Sequence, residues 1–141
     1  MVEIKFEMKP YIVDFKLRPR VTIIRGDTSS GKSLFYQWLL VQKQLPENKE
    51  KYSNIVLLNH TSDIRDIVGK EGKLFVIDNA DLLLEDAPDM VGHIAADYPN
   101  EYLIICRRAY DFDASPNHYA TIKEVRGVFT LNYQFDVEGW R

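Results

Sequence analysis

Gly26-Asp27-Thr28-Ser29-Ser30-Gly31-Lys32-Ser33 fits the pattern Gly-x4-Gly-Lys-Ser/Thr at every fixed position. Before it stands Val21-Thr22-Ile23-Ile24-Arg25, a β-rich apolar run, and after it Leu34-Phe35-Tyr36-Gln37-Trp38-Leu39-Leu40 reads as the opening of a helix. Strand, loop and helix are in the order that a phosphate-cradling loop requires. Gly26 and Gly31 let the backbone turn and approach where a Cβ would obstruct, so that successive N–H groups point into one concavity. The helix that begins near Lys32 adds its positive dipole end. Lys32 is a point charge suited to β- and γ-phosphates, and the Ser33 hydroxyl is a hard oxygen ligand for one position on Mg²⁺. The binding set is Gly26, Asp27, Thr28, Ser29, Ser30, Gly31, Lys32, Ser33 and Leu34, the last continuing the helix.

Further along, the apolar run Leu74-Phe75-Val76-Ile77 ends in Asp78. Many buried strands end in Asp at a turn, but in P-loop proteins an aspartate at the carboxyl end of a neighbouring core strand holds the Mg²⁺, usually through water, where open α/β sheets bind their ligands. Asp78 resembles that residue, which the likeness would make the second metal-directed group beside Ser33.

The remaining segments alternate. Ile4, Phe6 and Met8 interleave with Glu3, Lys5, Glu7 and Lys9, and Val13, Phe15 and Leu17 with Asp14, Lys16 and Arg18, around a turn near Pro10. This pattern predicts a half-exposed β-hairpin. Residues 54–59 predict a second core strand, and 63–68 a short helix opened by Ser62 or Asp63 and stopped at Gly69. Residues 82–97 predict a helix broken near Pro88, because Met90, Ile94 and Tyr98 share a face. Residues 102–106 form another apolar run, 110–119 have loop composition, and 121–125 and 128–133 are strands around an Arg126-Gly127 turn. Strands alternating with helices predict a mainly parallel central sheet covered on both faces.

With these motifs in place, the chain resembles a P-loop NTPase, with a Walker A motif at residues 26–33 and a Walker B motif at residues 74–78. Its plan is similar to that of the additional-strand division of AAA-type, RecA-like and ABC-type ATPases, and the N-terminal hairpin is similar to that of ABC- and SMC-like heads. The resemblance implies an α/β three-layer fold, a mainly parallel sheet flanked by helices with an N-terminal β-hairpin. It also implies ATP as the nucleotide and Mg²⁺ as its metal. No Asn-Lys-x-Asp guanine-recognition segment lies in the later half.

Departures from the family pattern bear on mechanism. A glutamate commonly follows the Walker B aspartate and polarises the attacking water; here Asn79 stands, and an amide is no carboxylate base. Slow hydrolysis follows. Asp81, or Glu85 one turn later, is a substitute candidate, set against the plainer reading of an exposed helix start. After the next strand come Cys106 and then Arg107-Arg108, where either arginine suits an arginine finger as well as a solvated surface pair. The catalytic candidates are thus Lys32, Asp78, Asp81 and Arg107. Tyr11 suits stacking on adenine or simple packing.

Bulk properties set the frame. The 141 residues, 45% hydrophobic and 12% aromatic, suit one domain over residues 1–141. A net charge of −3 gives no footprint for nucleic acid or an anionic membrane. One cysteine excludes an internal disulfide, no run suits a membrane span or signal peptide, and a cytoplasmic location is expected. The three histidines have no zinc-site spacing. Three readings stay open. The favoured one is an ATP-binding regulatory module or feeble ATPase that associates with a protein partner or with itself. The others are a small phosphotransferase of nucleotide-kinase type and a degenerate P-loop scaffold for protein contacts.

Overall fold

The computed structural model describes residues 2–25, 32–112 and 118–133, with Lys32 and Ser33 given by their helical backbone alone. β1 (Val2–Met8) and β2 (Tyr11–Leu17) pair antiparallel, from Val2 opposite Leu17 to Met8 opposite Tyr11. Their period-two alternation places Ile4, Phe6, Val13, Phe15 and Leu17 in the core and leaves Glu3, Lys5 and Lys16 in water.

β3 (Val21–Arg25), β4 (Ile55–Leu58), β5 (Leu74–Ile77) and β6 (Glu101–Cys106) are the continuous apolar runs, and they lie parallel in the order β3-β6-β5-β4. Successive residues feed two separate cores. Ile23, Phe75, Ile77, Tyr102 and Ile104 belong to one, and Ile24, Leu74, Val76, Leu103 and Ile105 to the other. Burial on both sides is what an uninterrupted apolar strand needs. α1 (Lys32–Gln44) covers the second core with Phe35, Tyr36 and Leu39. α2 (Ala80–Asp86) and α3 (Asp89–Ala96) cover the first, together with a 3₁₀ turn at Ile64–Ile67 whose leading Asp63 accepts the Arg65 N–H at 3.0 Å. Pro88 stands between α2 and α3, where its missing N–H interrupts no helix.

β7 (Tyr119–Val125) and β8 (Val128–Tyr133) form a second antiparallel hairpin. Its turn residues Arg126 and Gly127 have φ of 52° and 80°, the double positive that a type I′ turn demands. β7 meets β3 through two residue pairs, Ile23 with Tyr119 and Ile24 with Ala120. β8 meets β2 in parallel through three, Ile12 with Val128 to Asp14 with Thr130. The full order is β1-β2-β8-β7-β3-β6-β5-β4.

This architecture corrects the fold class expected from the sequence, and with it the resemblance to P-loop NTPases. In place of a three-layer α/β fold with a mainly parallel sheet flanked by helices, the chain forms one mixed, curled sheet of eight strands with three α-helices among the described residues. Four of the eight strands belong to hairpins, whose tight turns impose antiparallel neighbours and whose polar alternation keeps one side wet. Phe15 of β2 meets Phe35 of α1 at 4.4 Å between centroids and Tyr11 stacks on Trp38 at 5.5 Å, so aromatic contacts fasten the N-terminal hairpin to α1.

Candidate functional site

Because β3, β4, β5 and β6 are parallel, their carboxyl ends line one edge. Arg25 ends β3, Asn59 follows β4, Asp78 follows β5 and Cys106 ends β6. Gly26, Asp27, Thr28, Ser29, Ser30 and Gly31 lie outside the described residues; Lys32 and Ser33 open α1, and the next residue, Leu34, is exposed. One turn after Lys32, Tyr36 is buried. Burial and then the negative charge of Asp78 push its hydroxyl above the ordinary tyrosine value, while a hydrogen bond from the Asn59 side chain pulls it back. Tyr36 of α1, Asn59 after β4 and Asp78 after β5 therefore interact at this edge.

Asp78 is only 8% exposed. Its N–H donates to the Leu58 carbonyl at 2.9 Å, and its Oδ1 accepts the Asn79 N–H at 3.0 Å. Asn79 then takes a left-handed conformation, φ 52°, which asparagine tolerates better than most residues, and α2 begins. A buried carboxylate at this edge is a hard oxygen donor.

Asp81 lies in the first turn of α2. Its Oδ2 accepts the Arg107 N–H at 2.7 Å, and its Oδ1 accepts the Arg108 N–H at 3.0 Å and the Tyr110 hydroxyl at 2.9 Å. Burial alone would raise this carboxyl, but these three donors and its own N–H outweigh it and hold the group below the usual carboxylate range. The Tyr110 hydroxyl is pushed up to about 12, by burial and by the same carboxylate. The acid that the sequence offers as a substitute base is thus occupied in fastening the turn after β6 to α2. The Arg107 and Arg108 side chains are exposed, and Glu85 is exposed on α2. Arg25 Nη2 donates to the Arg107 carbonyl at 3.4 Å. Cys106 is buried and its Sγ donates to the Arg108 carbonyl at 3.4 Å.

Sequence reasoning singled out neither Tyr36 nor Asn59. The signals were there: Tyr36 follows Lys32 by four residues, one helical turn, and Asn59 ends an apolar run as Asp78 does. No known protein family, curated protein or solved structure matches the chain, so the expected kinship with P-loop NTPases rests on the two motifs and is overturned by the sheet. Among the described residues, no helix is long and apolar enough to cross a membrane.

Proposed function

We propose that the chain binds ATP with Mg²⁺ on residues 26–33 and serves as a nucleotide-dependent regulatory module, contacting a protein partner or a second copy of itself and hydrolysing its ligand slowly. One observation supports this most. The octet connects the end of β3 to the start of α1 at the edge where buried Asp78 also stands.

Lys32 would neutralise the β- and γ-phosphates, and the N–H groups of the preceding loop and the first turn of α1 would receive their oxygens. Ser33 and Asp78 would hold the Mg²⁺, whose chemistry is to neutralise charge across the phosphates. Asn79 has no basicity for activating water, and the Asp81 carboxylate is engaged by three donors, so turnover is slow. A reducing, cytoplasmic compartment suits a chain with one cysteine, itself buried.

Calorimetric titration with Mg·ATP, followed by phosphate release in the same samples, tests the proposal. Binding with little turnover is the expected result. Lys32→Ala should weaken binding by about 4 kcal/mol, about a thousandfold in Kd, as for truncation of one member of a desolvated charge pair. Equal affinity in that variant would remove the octet from the site.

A further inference from the structure

At the end of β3 the surface is indented. Arg25 at the end of β3, Tyr119, Ala120 and Thr121 of β7, and Asn132 and Tyr133 of β8 line a cleft of about 360 Å³. Arg25 is the residue directly before Gly26, so the chain leads from this cleft straight into the octet. The register explains how it forms. β7 begins opposite Ile23, pairs with β3 only at Ile23 and Ile24, and then continues past the end of β3 with β8 alongside. The two-stranded ribbon that projects beyond the edge becomes one wall, and Arg25 the other.

The wall chemistry is mixed in a particular way. The half-buried Tyr119 ring has the Arg25 guanidinium 5.9 Å from its centroid. Opposite one another on the ribbon are Thr121 and Asn132, both exposed, with the Thr121 hydroxyl donating to the Asn132 carbonyl at 3.5 Å. An aromatic face, a planar cation and a side-chain amide that both donates and accepts are the groups that recognise a flat heterocycle bearing donors and acceptors on its rim. Resting on the phosphate-binding reading above, the geometry points to this cleft as the seat of the nucleoside part of the ligand, with Tyr119 and Arg25 against the base and Asn132 at its polar edge.

The test compares two probes on the full chain by calorimetry, Mg·ATP and Mg·tripolyphosphate, the second having phosphates and no nucleoside. Wild type binds ATP more tightly than tripolyphosphate. Asn132→Ala, at an exposed position that leaves the fold intact, and Tyr119→Ala each lower ATP affinity about tenfold, within the range for loss of one base contact, and leave tripolyphosphate affinity unchanged. Should Tyr119→Ala fail to fold, Asn132→Ala alone decides. Equal loss for both probes, no loss for either, or equal wild-type affinity for the two probes overturns the nucleoside site while the phosphate loop stands. No wild-type binding of either probe overturns the phosphate loop, and the nucleoside site with it.

Discussion

The two ends of the parallel strands are built from similar polar residues and put to different use. At the amino end, Asn100 is 1% exposed; its Oδ1 accepts the Lys73 N–H at 2.9 Å, and its Nδ2 donates to the Lys70 carbonyl at 2.6 Å and to Asp97 Oδ2 at 2.8 Å. The Tyr102 hydroxyl donates to the same Asp97 oxygen at 2.5 Å. Arg20 closes the set, donating to the Ile94, Ala95 and Asp97 carbonyls at 2.9–3.0 Å at the end of α3. At the carboxyl end a helix start, a buried acid at Asp78 and a left-handed Asn79 lie together, and Asp81 fastens the turn after β6 with three hydrogen bonds. One end is closed on itself and holds the fold; the other sets a buried acid, a left-handed asparagine and a helix start side by side.

If that division is right, damage at the amino end should change stability without touching binding. Asn100→Ala leaves the Lys73 N–H and the Lys70 carbonyl without the side chain that meets them, at a cost of about 3 kcal/mol. A urea midpoint measured beside ATP affinity separates the two quantities. Weakened binding in a variant of unchanged stability would mean that the ends communicate, and the comparison would fail.

Much of this was legible in the chain, for a local reason. Alternation gave the β1–β2 hairpin, continuous apolar runs gave β3, β4, β5 and β6, Pro88 gave the break between α2 and α3, and Arg126-Gly127 gave the last turn. Sheet order is not local. The seam that sets β2 beside β8 consists of three residue pairs and the Ile12 N–H on the Gly127 carbonyl at 2.9 Å, between segments from opposite ends of the chain. No periodicity announces it, so the fold class expected from the motifs was replaced by a mixed sheet. The site divides in the same way. Asp78 and Asp81 were visible as positions, but what Asp81 does depends on the N–H groups of Arg107 and Arg108, distant in sequence. Arg20 gave no signal and Asn100 only that of a helix stop beside Pro99, since an isolated polar residue near a strand reads as surface until its partners are known.

The carboxyl end can be sharpened at Asn79. Asn79→Glu introduces a carboxylate beside Asp78 and should raise phosphate release at least about tenfold, toward the lower part of the range for a positioned general base. Glutamate tolerates the left-handed backbone less well, so a fall in stability of about 1 kcal/mol accompanies the gain. Destabilisation without acceleration would show that the attacking water is not aligned at this position, and that a missing base is not what limits the rate.

The smallest effect is at Asp81, and its sign follows from its environment. Asp81→Asn keeps one acceptor oxygen and turns an amide toward a donor, a loss of about 1 kcal/mol at neutral pH. The wild-type carboxyl is held below its ordinary value of 3.8, so its contribution is present above that value and disappears as the pH falls through the folded value. Urea midpoints of the two proteins should therefore differ by a constant amount between about pH 7 and 5 and converge below about pH 4. Asp89, held low by its hydrogen bond and ion pair with Arg65, titrates alike in both proteins and cancels in the difference. Convergence assigns the clamp on the turn after β6 to the charge of Asp81. A difference that survives in full acid assigns it to the shape of the side chain, and the carboxyl end would then be held by packing as the amino end is held by hydrogen bonds.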